Sequence, residues 1–383
     1  MASPQLLPTD STTIENSQSL PLAVNTDDTL PNSPILSPTV NTDDTLPNPS
    51  TTSIKSASDI SINLALCEQI WNGCVPVLFD MASNEIISNI MNGIQDPVSI
   101  FLLLPRISYL PLVTEKVHNH FATYAPALSD GMWFEFNGNP LKWNFPIGVL
   151  YDLYIHEQYK NPNNNDNNDG KIDQNDDPVW KIIVHFQSYP SEDVIMRCDN
   201  INAVKILFFN YLKQSLFLAY NNINAIASLK KDDQNALWNG VCTADYNLYF
   251  PIYQSLFGRI SNKHSKMMRY PFRIILRGFD EGDNTQKKID LIPIQRPIKV
   301  NNDENDTDGN IITLEKCLKH IIPGVMQMYY NQNNNKQIDI IIQGMKIPLN
   351  VPMMWLIRHA TSADCFLYIV IVNHLKTRRC MQQ

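Results

Sequence analysis

A chain of 383 residues, 44% hydrophobic and 18% charged, suits two or three soluble domains and excludes a fibrous or fully disordered protein. No apolar run approaches the 18 residues of a membrane span; the best runs, 100–104 and 366–372, have strand lengths. The net charge of −8 gathers in three places, residues 1–60 (seven acids against Lys55), 157–177 (six acids, two lysines) and 303–308 (four acids), which leaves the rest basic by six.

That mild basicity suits an acidic protein partner or peripheral contact with an anionic membrane surface. There is no dense basic stripe with interleaved aromatics, so nucleic acid is not expected as a partner. The start of the chain lacks the basic-then-apolar pattern of a secretory signal, and the expected compartment is the cytosol. Seven scattered cysteines without a C-x-x-C pair encode neither a disulfide framework nor a zinc ribbon. Most of them read as small buried apolar residues.

Residues 1–57 hold Ser, Thr, Pro, Asn and Asp and a duplicated phrase, VNTDDTLPN, at 24–32 and 40–48. Such a segment cannot bury enough surface to offset its ordering entropy and is expected to be a disordered tail. A folded pattern starts at residue 58, with strand-like runs at 75–81 and 99–104 and a helical stretch at 112–121. His118 and His120 lie two apart in that stretch, so they face differently and form no nuclease-like pair. MWFEFNGNPLKW then alternates around an Asn137-Gly138 turn signal and predicts a β-hairpin. Pro146 opens a helix through Tyr154, and after an Asn/Asp-rich insert at 157–178 a buried strand spans 179–186.

The block 191–262 reads as helix-rich, with helical segments at 202–220 and 245–257 around DDQNALWNGV. The final block, 263–376, repeats the plan of the first, 58–190: strand pair, helix at 314–322, a second strand pair, short helix at 353–359, final strand. The expected fold is α+β, two ubiquitin-like β-grasp domains flanking a helix-rich domain, with a short tail at 377–383. The closing HLKTRRCMQQ carries no terminal glycine for transfer, so such domains are expected to be platforms and not tags.

Two loops, 165–176 and 304–315, imitate calcium-binding EF-hands. Each has the wrong first residue, Asn165 or Glu304, and neither follows a helix, so no metal is expected. No G-x-S-x-G, Walker or H-E-x-x-H motif appears, and the chain is not expected to be an enzyme or to need a cofactor. One oddity remains. Lys213 sits in the otherwise apolar NAVKILFFNYLKQSLFLAY, either covering apolar helix surface with its stem or keeping its amine reachable for use.

The phrases FLLLPRISYLPLVTEKVHNHF, WFEFNGNPLKWNFPIGVLYDL, VHFQSYP and KKDDQNALWNG resemble the autophagy protein 5 family. IWNGCVPVLF, YPFRI and QGMKIPLNVPMMWL extend the resemblance, in order, over residues 70–374. It implies two ubiquitin-like domains around a helical one, covalent modification of one lysine by a ubiquitin-like autophagy modifier, and capture of a helix of the coiled-coil autophagy protein 16. It also implies that the assembled complex, with the conjugating enzyme of the lipidation pathway, promotes transfer of a second ubiquitin-like protein to phosphatidylethanolamine of the growing phagophore membrane. Carried onto this chain, the acceptor lies eleven residues beyond Asn202, at Lys213, with Lys205 as a solvated neighbour eight residues earlier.

A lysine must lose a proton before attacking a thioester, and packing against Phe209, Tyr211 and Phe217 is expected to desolvate Lys213 and ease that loss. Arg106, in LPRISY, is expected either to shape the partner groove or to form a structural salt bridge. The alternative function is an unmodified ubiquitin-like adaptor; a calcium-regulated membrane module rests only on the two loops.

Overall fold

The computed structural model describes residues 63–87, 97–126, 131–158, 179–198, 200–261, 267–278, 292–295, 298, 311–331 and 338–373. The tail at 1–57 with its duplicated phrase, the insert at 159–178 with the first EF-hand-like loop, the 304–310 half of the second, and the 377–383 tail lie outside the described residues. All that is described falls within one unit, Ser53–Gln383.

The first β-grasp unit begins with α1 (Leu64–Trp71), a helix that the sequence reading passed over. Asn63 caps it, its side chain accepting the Leu66 N–H. Next come β1 (Cys74–Met81) and β2 (Ile100–Pro105), paired antiparallel, then a single 3-10 turn (Leu110–Leu112) that leads into α2 (Thr114–Phe121). The predicted helix at 112–121 is therefore a turn followed by a shorter helix. Pro111 lies within that 3-10 turn and lacks the N–H that a helix interior needs.

β3 (Trp133–Phe136) and β4 (Asn139–Pro140) form the expected hairpin. Asn137 and Gly138 both take positive φ, 49° and 78°, as a two-residue turn between twisted strands requires. α3 (Ile147–Gln158) follows Pro146, and β5 (Trp180–His185) lies parallel to β1. The strand order is β2-β1-β5-β3-β4.

The helical block holds α4 (Ile201–Tyr220), α5 (Asn224–Ala227), α6 (Lys231–Thr243) and α7 (Tyr246–Ser261). Residues 191–198 are turn and extended chain, not helix. There the Met196 carbonyl accepts from Trp143 Nε1 at 2.5 Å and from the Tyr189 hydroxyl at 3.2 Å, which pins the segment to the first unit.

The second β-grasp unit repeats the first. It runs β6 (Phe272–Arg277), β7 (Ile292–Ile294), α8 (Leu314–Ile321), α9 (Pro323–Asn331), β8 (Ile338–Ile342), β9 (Met345–Lys346), α10 (Met353–His359) and β10 (Leu367–Asn373). Its order, β7-β6-β10-β8-β9 with β6 parallel to β10, matches the first sheet strand for strand. The extra helix α9 was not expected from sequence. The second EF-hand-like loop ends in α8, where Thr313 caps the helix and Glu315 bonds Lys319 at 2.7 Å and the Tyr330 hydroxyl.

The two sheets differ in what covers them. β1 alternates buried and half-buried residues, the pattern of a sheet packed on one face. On its other face the cross-strand neighbours Leu78–Phe101 and Pro76–Leu103 leave Phe101 66% and Leu103 67% exposed. β6, β8 and β10 are buried at every position. Phe272, Ile274 and Leu276 of β6 enter the second unit's own core, whereas Ile275 joins the core shared by the first sheet and the helical block. β10 divides likewise, Ile369 and Ile371 on one side and Tyr368, Val370 and Val372 on the other. Strand side chains alternate faces, so the second sheet is sandwiched between its own helices and the rest of the molecule.

Candidate functional site

α4 carries the predicted acceptor. Asn200 caps its start, with its side chain accepting the Ala203 N–H at 3.1 Å, and Asn221 ends it in the left-handed region at φ 53°. Val204, Phe208, Leu212, Ser215, Leu216 and Ala219 are buried, the three-and-four spacing of one helix face. Lys213 is exposed, on the same outward side as Ile206 (53% exposed), Asn210 and Phe217 (49% exposed). The expected desolvation by Phe209, Tyr211 and Phe217 does not occur. Phe217 stands one turn further on with its own ring half in solvent, and Phe209 and Tyr211 turn toward the core.

The two lysines of this helix part company. Lys205 is half-buried, and its ammonium donates to the Asn235 side-chain carbonyl of α6 at 3.1 Å. That replaces the solvated role expected for it. Lys213 has no side-chain partner among the described residues, and its amine is free to approach a reagent.

Beneath α4, the second unit supplies a polar junction that sequence reasoning missed. Arg273 of β6 lies between the rings of Tyr211 and Phe366, its guanidinium carbon 3.9 Å from each ring centre. It donates to the Gln214 carbonyl at 3.0 Å and to the Tyr368 hydroxyl at 3.1 Å. Tyr368 in turn donates to buried Asp364 at 2.6 Å, and the Ser215 hydroxyl donates to the Asp364 backbone carbonyl at 2.8 Å. Burial pushes the Asp364 carboxyl above the usual carboxylate range, and the Arg273 charge pulls it back only in part. Four residues on, Arg277 is fully buried, stacks on Tyr154 and donates to the Leu153 carbonyl of α3. One strand thus reaches both other parts of the chain.

Arg106 lies on the far side of that junction. Its guanidinium bonds Asp152 at 2.6 Å and the Gly148 carbonyl at 3.1 Å, both on α3, and is largely buried. Of the two expectations for this residue, the salt bridge is present. A Cβ on Gly148 would stand 2.8 Å from the Arg106 Cβ, and one on Gly344 3.1 Å from a guanidinium nitrogen, so both glycines make room for this side chain.

Among the described cysteines, burial raises the thiols of Cys67, Cys74, Cys242, Cys317 and Cys365, and none of these is shifted toward the thiolate. Of six described, only Cys317 and Cys365 are buried, fewer than expected, and all are free thiols. Burial holds Cys242 up at about 11 and Cys317 at about 12, far from thiolate formation at neutral pH. Among the described residues, no group of three His, Cys, Asp or Glu could hold a metal, and no helix is long and apolar enough to cross a membrane.

Two ubiquitin-like sheets around a helical bundle define a protein built on paired ubiquitin-like folds. Three family models match in the same order as the structure: the UblA domain of autophagy protein ATG5 over residues 70–186, its alpha-helical bundle region over 201–259, and its UblB domain over 269–371. The chain belongs to the autophagy protein 5 family and, with it, to autophagy.

Autophagy protein 5 of Drosophila melanogaster is 30% identical over 59% of this chain and 74% of its own length. That of Arabidopsis thaliana is 22% identical over 79% and 96%. Against the Dictyostelium discoideum protein, 28% identical, the match covers 54% of this chain and spans 59% of that protein's length. The crystal structure of Kluyveromyces marxianus Atg5 superimposes with a TM-score of 0.58 at 18% identity, covering 80% of this chain and 99% of that one, and supports the fold.

Proposed function

We propose that this chain is a conjugated scaffold: Lys213 takes a ubiquitin-like autophagy modifier in isopeptide linkage, and the conjugate binds the coiled-coil autophagy protein 16. As that complex it promotes transfer of a second ubiquitin-like protein from the conjugating enzyme of the lipidation pathway to phosphatidylethanolamine. The observation that carries this reading is the contrast within α4: Lys213 exposed and unpartnered, Lys205 tied to Asn235. In the transfer, the lysine nitrogen attacks the thioester carbonyl of the charged enzyme. The C–N bond forms, the C–S bond breaks, and the enzyme's thiol leaves. Because Lys213 stands in solvent, the base that takes its proton comes from the conjugating enzyme or from water. Arg106, buried behind the surface, supports the partner groove through Asp152 and Gly344 rather than touching the partner helix. The scaffold acts from the cytoplasm, recruited peripherally to the phagophore membrane.

The bare apolar face around Phe101 and Leu103 favours a second reading, an adaptor that binds partners and is never modified. A mobility-shift assay separates them. The chain is incubated with the modifier, its activating and conjugating enzymes and ATP, with Lys213→Arg and Lys205→Arg in parallel. One heavier band, lost only in Lys213→Arg, is expected. A band that persists in Lys213→Arg moves the acceptor elsewhere, and no band from any chain, beside an active control, leaves the adaptor.

A further inference from the structure

α4 poses a problem of orientation. Its sequence, INAVKILFFNYLKQSLFLAY, is apolar around most of its circumference, and Ile206 and Phe217 stay about half exposed while Val204, Phe208, Leu212 and Leu216 are buried. A helix turns about 100° per residue, and partly buried apolar residues border the buried face on both flanks, Leu207, Tyr211 and Leu218 on one and Phe209 and Tyr220 on the other. A rotation that drew the second flank inward at the expense of the first would therefore cost little buried area. The same rotation would carry Lys213 toward the core. Hydrophobic burial alone therefore specifies weakly which residue of this turn faces solvent, and something directional has to fix it.

We propose that Arg273 is the positioning residue for the acceptor amine: clamped between Tyr211 and Phe366 and bonded to Gln214, it locks the rotation of α4 so that Lys213 is presented. The inference rests on the reading of Lys213 as acceptor. Tyr211 and Gln214 straddle Lys213, and both are engaged by one guanidinium. Ser215, two residues on, is held by its bond to the Asp364 carbonyl, and Leu212 is buried. Positions 211, 212 and 215 are thus turned to the interior, Gln214, itself exposed, is tied by its bond to Arg273, and 213 is left outward.

The clamp uses both faces and the edge of a planar cation at once, which a lysine ammonium cannot reproduce. A satisfied buried polar network of this kind selects one arrangement among several of similar apolar burial. It also gives the second β-grasp unit a part in the conjugation step, although the acceptor lies outside it.

The test uses the full chain with the charged conjugating enzyme, and the variants Arg273→Lys and Gln214→Ala. Conjugation kinetics are paired with amide hydrogen exchange along residues 201–220. For both variants kcat is expected to fall about tenfold or more, as misplacement of a reacting group does, while KM for the charged enzyme stays within about twofold. Exchange should quicken across 211–217. Folded variants with wild-type kcat overturn the inference. So does a raised KM with kcat intact, which would make Arg273 a binding residue. Should Arg273→Lys fail to fold, Gln214→Ala decides, because it removes the helix side of the tie and leaves the second sheet intact. Should the wild-type chain form no conjugate, the acceptor reading fails by itself. The lock is then judged on exchange, unchanged protection across 211–217 overturning it and faster exchange there supporting it.

Discussion

The carboxylate of Asp152 receives two parts of the chain on one oxygen: the Arg106 guanidinium at 2.6 Å and the backbone N–H of Gly344 at 2.9 Å. Arg106 follows β2 of the first unit, and Gly344 makes the β8–β9 turn of the second, 192 residues from Asp152. The pair therefore stitches the two ubiquitin-like units together. Removing one partner of a buried pair leaves the other charge without compensation, at about 3–5 kcal/mol. Asp152→Ala is expected to cost that much in urea unfolding followed by tryptophan fluorescence. A loss below about 1 kcal/mol would mean that the junction carries little of the stability.

Gly344 tests the same junction from the backbone. Its φ of 79° belongs to the left-handed region, and a Cβ there would stand 3.1 Å from the Arg106 guanidinium. Gly344→Ala combines strain with displacement of that side chain and is expected to cost about 1–3 kcal/mol. Gly324, near the start of α9, has nothing within 4 Å of its Cβ position. Gly324→Ala should therefore be neutral or stabilising, by up to about 1 kcal/mol. Equal effects at the two positions would contradict the packing described.

Asp152 and Asp364 also set a pH dependence. Burial raises both carboxyls above the ordinary value of 3.8 despite their arginine neighbours. A group that binds its proton more tightly folded than unfolded contributes stability fully below the unfolded pKa and loses it as pH rises through the folded one. These two carboxyls should thus make stability decline as pH climbs above 3.8. Replacing Asp364 with Asn removes one of them, and the stability profile measured upward from pH 3.8 should become flatter. A steeper decline in the variant would reverse the assignment.

The two sheets should respond oppositely to substitution. Ile275 is wholly buried where the second sheet meets the rest of the chain, and Ile275→Ala is expected to cost about 2–5 kcal/mol through lost burial and the cavity left behind. Phe101→Ser and Leu103→Ser, on the open face of the first sheet, should each change stability by no more than about 0.5 kcal/mol. Thermal unfolding of the three variants side by side reads the difference. A large loss at Phe101 would show that this face is covered in solution.

Capping gives a smaller, local effect. Asn200→Ala removes the acceptor for the Ala203 N–H and should lower stability by about 1 kcal/mol. Conjugation at Lys213, more than three turns away, should proceed at the wild-type rate. A conjugation defect as large as that expected for Arg273→Lys would show that any loosening of α4, and not its rotation in particular, limits the reaction.

Local chemistry made much of this protein legible in one dimension. The Asn137-Gly138 turn, the helix after Pro146, the helix at 353–359 and the repeated order of strands all follow from side-chain period and turn residues, which act within a few positions. The shared phrases placed the chain in its family and put Lys213 on a long helix. Two helices escaped: α1 is short, and α9 directly follows another helix across Pro323, with little periodicity to mark either.

What lay beyond the sequence was which surface meets which. In RIILR, Arg273 and Arg277 share one face of β6, and nothing in the local sequence says what that face meets. Only the packing of the second sheet against the helical block and the first unit turns Arg273 and Arg277 inward. The near-continuous apolar runs of β8 and β10 were the available sign that this sheet is covered on both sides. For the same reason an apolar helix could be located but not oriented. The sequence determined that α4 exists and carries two lysines. The tertiary structure decided that Asn235 takes one of them and that the other stands exposed, because which side of an apolar helix meets solvent depends on where its neighbours pack.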